Sequence, residues 1–366
     1  MNKIKVCHVV CGLKSGGAES VIYNYCSAVN SDKYEWYLLY QHEPSKKNID
    51  EFKNIGFHLK RIPSKAKHPI KNYKETYKFL KNNKIDVVHC HMTLMNFIPL
   101  IAAKKLKIKV RICHSHNSDI RKKNIIVKMI EKVLKVLCIK NATHLVACGK
   151  EAGKYMFGNN EFQILHNAMN LNKYQYSEKN RKKIRKNYNI TNENFVIGHI
   201  GRFTKQKNQI FIIELFKKIY EEDKNFVLFL IGDGEQRKFI IDKIKEYGLE
   251  KNIILPGILN NTNEIYSAFD VFILPSLWEG LPVVSIEAQA SGLQTILSNN
   301  IDKKAIIEKE KCTMLDLDIK KWKKQILEEK NKKSSRDINI NLFINKNLDI
   351  KTEVNKIEKI YDEGKS

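Results

Sequence analysis

Short runs of β-branched and other apolar residues alternate along the chain with longer stretches whose apolar positions recur every three to four residues. In the first half the runs are IKVCHVV (4–10), WYLLY (36–40), IDVVHC (85–90), KVRICH (109–114) and HLVAC (144–148). In the second half they are FVIGHI (195–200), FVLFLI (226–231), IILP (253–256), DVFILP (270–275) and QTIL (294–297). Stretches between them, such as Ser20–Val29 and Gln209–Tyr220, have the spacing of amphipathic helices. Near-continuous apolar strands joined by helices predict parallel sheets covered on both faces. The two blocks meet in a polar, Asn- and Lys-rich stretch, 166–194, which reads as a linker with a connecting helix. The pattern thus predicts an α/β protein of two Rossmann-like, doubly wound domains facing a cleft, over 1–166 and 167–345. A last helix, about Ile350–Tyr361 within 346–366, is expected to pack back toward the first domain.

Composition narrows this picture. The chain has 366 residues, 43% hydrophobic and 29% charged, as in a soluble globular protein with two ordinary domains. No stretch has the apolar length of a membrane span, and the start lacks the apolar region of a signal peptide, so a cytoplasmic protein is expected. The eight cysteines are scattered with no Cys-x-x-Cys pair, which in a reducing compartment suits small buried hydrophobes better than disulfides. The net charge is +25, most of it from lysine. It has two readings: attraction to an anionic partner such as a membrane surface or phosphorylated substrate, or a compositional bias that also enriches Asn and Ile. Nucleic acid is disfavoured, because aromatics do not interleave with the basic runs.

Ligands of open α/β sheets bind at the C-terminal ends of the strands. Four such ends here carry distinctive residues: CGLKSGGAES after the first strand, GRFTKQK after FVIGHI, GDGEQR after FVLFLI, and SLWEGLP after DVFILP. In WEGLPVVSIEAQASG, Pro282 has the position of the first helical residue, Val283–Ser291 the helix and Gly292 its C-terminal stop. The free N–H groups around Gly280, Leu281, Pro282 and Val283 then offer an anion site suited to a diphosphate. Glu287, in the helix, and Glu279, before it, can bind hydroxyls on either side; alternatively Glu279 only complements the helix start and Glu287 is solvated. Arg202 and Lys207 follow Gly201 at another strand end and suit diphosphate oxygens. Gly16 and Gly17 form a Gly-rich turn before a helix, without a dinucleotide fingerprint or Walker pattern. His89 and His91 of HCH, and His114 and His116 of HSH, share a strand face pairwise. Polar strand-end histidines are favoured over a metal site, and His116 is the best active-site candidate among them. Asp-x-Asp at 316–318 precedes a helical stretch, so Asp318 reads as an N-cap rather than a metal ligand.

Taken together, PSLWEGLPVVSIEAQASG, SGGAE, IGRFTKQKN, IGDGEQR and CHSHN resemble the segments of retaining family 4 glycosyltransferases of the GT-B fold, over nearly the whole chain. Within that family the likeness is to enzymes that build bacterial capsular or exopolysaccharide repeat units on a lipid carrier. ILHNAMNLNKY is similar to the family's interdomain Pro-Asn-Gly-Val-Asp element but departs from it at His166, Ala168, Met169 and Asn170. The resemblance implies an N-terminal domain on the acceptor side and a C-terminal domain that binds the nucleotide sugar, UDP-linked. It implies that Arg202 and Lys207 neutralise the donor diphosphate. Gly280, Leu281 and Pro282 would present backbone to sugar and phosphate, with Gly201 in the same Gly-Arg segment. Glu279 would hold donor-sugar hydroxyls and Glu287 the ribose. His116 would stand near the sugar, and Gly16 and Gly17 would let the first domain close. No cofactor and no metal are expected for the chemistry, the acceptor is expected to be a lipid-linked saccharide, and the enzyme to sit at the cytoplasmic face of an anionic membrane. No Glu or Asp stands out as a nucleophile, which favours front-face retention. The rivals are a nucleotide-sugar epimerase of the same architecture, a glycoside hydrolase or phosphorylase using Glu279 and Glu287, whose carboxylates would lie ~5–9.5 Å apart, and a non-catalytic sugar-nucleotide-binding subunit.

Overall fold

The computed structural model describes residues 3–13, 17–29, 31–44, 46–116, 124–259, 262–332 and 335–365. The strands in chain order are β1 (Ile4–Val9), β2 (Tyr34–Tyr40), β3 (Phe57–Arg61), β4 (Val87–Cys90), β5 (Val110–Ser115), β6 (His144–Ala147), β7 (Gln163–Ile164), β8 (Phe195–Ile200), β9 (Phe226–Ile231), β10 (Ile253–Gly257), β11 (Val271–Leu274), β12 (Gln294–Ser298) and β13 (Cys312–Leu315). The helices that matter below are α1 (Gly17–Ala28), α2 (Ile125–Asn141), α3 (Glu178–Asn187), α4 (Gln209–Glu222), α5 (Val283–Ala290), α6 (Ile319–Lys330) and α7 (Ile350–Asp362).

The chain forms two compact units, Met1–Met169 with Asn347–Ser366, and Asn170–Lys346. The first unit holds a seven-stranded sheet ordered β3-β2-β1-β4-β5-β6-β7, the second a six-stranded sheet ordered β10-β9-β8-β11-β12-β13. The strand pairs are parallel. Each sheet is doubly wound. The order reverses between β1 and β4 in the first unit and between β8 and β11 in the second, so each has one topological switch point.

All ten apolar runs become strands. The three strands that the apolar pattern does not announce, β3, β7 and β13, lie at sheet edges. An edge strand has one neighbour and exposes much of its surface, so its residues need not be apolar. Phe57–Arg61 illustrates this: FHLKR buries only Phe57.

The sheet of the first unit packs two distinct cores. Val6, Val87, Ile112 and α7 residues Ile350, Ile357 and Tyr361 share one; Cys7, Val88, Cys90 and Cys113 belong to the other. The alternation within β1 and β4 follows from side chains pointing to opposite faces. The C-terminal helix α7 is fastened to this unit by Tyr34 Oη donating to Asp362 Oδ1 at 2.8 Å and by a parallel bridge between Met169 and Asp349. All eight cysteines are free thiols, and Cys7, Cys26, Cys90, Cys113, Cys138 and Cys312 are buried.

Candidate active site

The switch point of the second unit puts the ends of β8 and β11 side by side. After β8 the chain turns sharply at Gly201–Phe203. Gly232 permits this: it has φ +141°, and a Cβ there would lie 2.0 Å from the Gly201 carbonyl oxygen. Gln209, buried at the start of α4, donates from Nε2 to the Arg202 carbonyl at 2.9 Å and fixes the turn. Asn208 caps α4 with a left-handed φ of +57°, a conformation that Asn tolerates.

The two strand-end loops are laced together. Leu277 N–H donates to the Gln206 carbonyl at 2.8 Å, and Gln206 Nε2 donates to the Trp278 carbonyl at 2.8 Å. Lys207 Nζ lies 2.5 Å from Glu279 Oε1, both side chains largely sheltered from solvent. A cation and a carboxylate named separately from sequence are therefore one ion pair. The ammonium keeps further donors and the carboxylate further lone pairs, so each can still take a ligand. Arg202 is exposed, and its guanidinium has no ion pair with the described residues. The Trp278 ring is 53% exposed and does not serve the core.

Pro282 is not the first helical residue. Its φ of −73° and ψ of 116° are extended, so it is the N-cap of α5. Proline fixes φ but leaves ψ free. The helix ends at Ala290 rather than Ser291, and Gly292 follows with φ +70° as the left-handed stop. Leu281 packs against the core, and no atom lies within 4 Å of where a Cβ on Gly280 would stand, so the space before that backbone is open.

Glu287 is neither solvated nor free. It is buried, and its two oxygens accept from Tyr174 Oη at 2.9 Å and Tyr266 Oη at 2.7 Å. Burial raises its pKa above the ordinary carboxylate value, and the two hydroxyls act in the opposite direction. Sequence spacing gave no sign of either tyrosine. Tyr174 is 113 positions away and meets Glu287 only through the fold.

The first unit carries the other candidates. Gly16 lies outside the described residues; Gly17 is the first residue of α1, with open space around its Cβ position. The paired histidines share a face as the strand period requires, with ring centroids 4.1 Å apart for His89 and His91 and 4.0 Å apart for His114 and His116. Neighbouring β1 adds His8, which the local HxH pattern could not reveal. Two hydrogen-bonded chains result. In one, Cys26 Sγ meets His8 Nε2 at 3.4 Å, His8 Nδ1 meets His91 Nε2 at 3.1 Å, and His91 Nδ1 meets His116 Nε2 at 2.8 Å. In the other, Tyr361 Oη meets His89 Nδ1 at 2.8 Å, and His89 Nε2 meets His114 Nδ1 at 3.1 Å. Burial lowers the pKa of every one of these imidazoles, to about 3 for His8 and about 4 for His116. They are neutral at neutral pH, His116 among them. Two triads, His8-His89-His91 and His91-His114-His116, have ligand atoms within 4.8 Å of one another and are the described groups most able to hold a cation. Such an ion would displace hydrogens that now link the rings. Asp318 caps α6, accepting from the N–H groups of Lys320 and Lys321.

His166, where the interdomain element departs from the family pattern, partners the buried Glu353 of α7 at 3.2 Å within the first unit. A cavity of about 450 Å³ beyond β2 and β3, lined by Gln41, His42, Arg61 and Lys67 among others, contains none of the expected site residues.

Two family models match the chain, "Glycosyltransferase Family 4" over residues 15–173 and "Glycosyl transferases group 1" over 180–338. The putative glycosyltransferase EpsF of Bacillus subtilis (strain 168) is 31% identical over 309 residues, 82% of this chain and 80% of the relative. The chain is a family 4 glycosyltransferase. An Escherichia coli UDP-Gal:alpha-D-GlcNAc-diphosphoundecaprenol alpha-1,3-galactosyltransferase is 29% identical over 248 residues, 64% of this chain and 63% of that one. Among solved structures, Anabaena Alr3699/HepE in complex with UDP-glucose superposes with a TM-score of 0.78 at 17% identity, covering 98% of this glycosyltransferase and 100% of the Anabaena chain. That likeness establishes the GT-B fold.

Proposed function

We propose that this glycosyltransferase moves a hexose or N-acetylhexosamine from a UDP-sugar to a lipid-linked saccharide with retention at the anomeric carbon, in bacterial capsular or exopolysaccharide assembly at the cytoplasmic face of the membrane. The observation that carries the reading is the Lys207–Glu279 ion pair at the switch point of the second unit, in the same strand-end loop that carries the exposed Arg202. In the donor, negative charge on the diphosphate adjoins neutral hydroxyls on the sugar. A guanidinium with no ion pair among the described residues, in the loop that also holds the Lys–Glu pair, supplies cations for the first and a carboxylate acceptor for the second. The relative that acts on a diphosphoundecaprenol-linked sugar supports the acceptor class.

In the proposed reaction the bond between the sugar's anomeric carbon and the β-phosphate oxygen breaks. The acceptor oxygen bonds to the same carbon on the same face, and its proton passes to the departing diphosphate. Arg202 and Lys207 stabilise the leaving charge, and the loss of one such donor typically costs ~10²–10³ in rate. Glu279 orients the sugar, Glu287 the ribose, and neutral His116 donates or accepts a hydrogen bond near the sugar. No metal and no cofactor enter this chemistry, so a chelator should leave turnover unchanged.

The Glu279/Glu287 hydrolase rival fits the site poorly, because Glu279 is tied to Lys207 and both Glu287 oxygens to tyrosines. Proton NMR of the product from an α-linked UDP-sugar tests the proposal, with an α-glycoside expected. A β-product would overturn retention. Change of the UDP-sugar without acceptor would point to an epimerase, and cleavage of a simple glycoside without UDP to a hydrolase.

A further inference from the structure

His8, His89, His91, His114 and His116 gather at the C-terminal ends of β1, β4 and β5, and the proposed transfer uses only His116. The first four are buried, and His116 alone of the group is partly exposed. Nitrogens of His91, His114 and His116 lie within 4.8 Å of one another. Both ring nitrogens of His8, His89 and His91 have hydrogen-bond partners, and His114 Nδ1 has His89 Nε2. His114 Nε2 has none, although its side chain is fully buried. Whether that nitrogen carries a proton or a lone pair, it loses its hydration without compensation.

The hydrogen bonds around these three rings can turn so that each points a lone pair inward. A neutral imidazole has one N–H and one acceptor nitrogen. With its proton on Nε2, His91 donates to His8 Nδ1, and His8 in turn donates from Nε2 to Cys26 Sγ. With its proton on Nδ1, His114 donates to His89 Nε2, and His89 donates from Nδ1 to Tyr361 Oη. With the His116 proton on Nδ1, the lone pairs of His91 Nδ1, His114 Nε2 and His116 Nε2 are all left free. No ring gains or loses a proton. The His91 and His116 lone pairs then face each other at 2.8 Å, an arrangement that only a cation between them stabilises. A metal-bound histidine usually donates its other N–H to a fixed acceptor, and the outer rings supply one for each buried member of the three.

We propose that His91, His114 and His116 form a site for a divalent transition cation of the zinc class, with a fourth position left to water. Three neutral imidazoles without a carboxylate suit Zn²⁺, Cu²⁺ or Ni²⁺, whereas Mg²⁺ and Ca²⁺ take oxygen ligands. Cation and proton compete for the same lone pairs, and burial keeps these rings unprotonated at neutral pH. The inner triad, His8-His89-His91, is less suited, because each of its nitrogens is already bonded. The cation takes no part in the transfer chemistry. By occupying His116 Nε2 it inhibits; that consequence rests on the proposed placement of His116 by the sugar, whereas the site itself does not.

Equilibrium dialysis of the full chain against micromolar ZnCl₂ tests it, with MgCl₂ as the control. One zinc per chain is expected, and no magnesium. CoCl₂ in place of zinc should give the visible d–d bands of a four-coordinate nitrogen site. It should give no near-ultraviolet sulfur-to-cobalt band, the mark of thiols such as the exposed Cys11. His114→Asn and, separately, His116→Gln should lose the zinc; if the buried His114→Asn fails to fold, the partly exposed His116→Gln decides. Tyr361→Phe keeps the ring but removes the acceptor for the His89 N–H. It should weaken zinc binding roughly 10–100-fold and leave zinc-free turnover unchanged. A wild-type chain that retains no zinc, histidine variants that retain it fully, or a sulfur-to-cobalt band would each overturn the site. Zinc should also lower turnover of a UDP-sugar with a water-soluble acceptor in step with occupancy. Bound zinc with full turnover would uphold the site and count only against His116 at the sugar. Absence of turnover even without zinc would count against the transfer reaction alone and leave the dialysis result standing.

Discussion

Arg202 and Glu287 illustrate opposite ways in which a side chain can be available to a ligand. Arg202 is exposed and has no ion pair with the described residues, so its removal should spare the fold; surface changes are usually worth within about 0.5 kcal/mol. Arg202→Ala is expected to lower kcat/KM for the UDP-sugar by ~10²–10³ with an unchanged melting temperature. Steady-state kinetics beside a thermal melt checks this, and intact kinetics would remove Arg202 from the site. Glu287 is buried, and its carboxyl holds its proton above the ordinary value of 4.5. As pH rises past that value the unfolded chain loses this proton first. The folded state is then the more protonated one, and stability falls until Glu287 itself ionises. Glu287→Gln cannot ionise. Its melting temperature relative to wild type should therefore climb as pH rises above 4.5, while its donor KM worsens. A difference flat with pH would mean that burial does not govern this carboxyl. The motif located Glu287, but nothing in its spacing announced Tyr174 or Tyr266, because hydrogen bonds between distant segments leave no local periodicity.

At the scale of the element, short polar signals proved readable where they act locally. Asp318 before IKKWKKQILEE is an N-cap, since a cap is decided by a side chain and the N–H groups two and three residues on. Asp318→Ala is expected to cost about 1 kcal/mol in urea unfolding without altering donor KM. An unchanged unfolding midpoint would show that α6 is held by its packing alone. Pro282 was misplaced by one residue for a related reason: proline marks a helix start, but ψ decides whether it stands inside or outside, and neighbouring contacts set ψ. Edge strands β3, β7 and β13 escaped the apolar pattern because it registers burial, and an edge has little of it.

Across the whole molecule, acid should act unequally on the two units. His8, His89, His91 and His114 are buried and neutral in the first unit, whereas of the chain's histidines only His199 is buried in the second. Their folded pKa values lie below the ordinary 6.5, so the unfolded chain binds protons that the native one refuses. Stability is retained above 6.5 and declines as pH falls toward the folded values, by about 1.4 kcal/mol per buried imidazole for each pH unit. Hydrogen exchange at pH 7.5 and 5.5 should show protection lost first in β1, β4 and β5. Equal loss in both units, or none, would contradict the buried neutral network.

The sequence by itself determined two parallel-sheet domains, because apolar runs of strand length between helical stretches have few other ways to be buried. It also named the strand ends that carry charge, because ligand chemistry there is written in contiguous residues. Only the tertiary structure decided which of those residues meet. Lys207 finds Glu279, Glu287 finds two tyrosines, and His8 joins the HxH pairs, each across segments that sequence leaves independent. It also decided which side of α2 is covered. That helix is apolar over most of its circumference, so its periodicity cannot choose an inner face; its contacts with the Thr93–Asn96 turn and the Phe97–Lys105 helix choose it, and leave the rest to the surroundings.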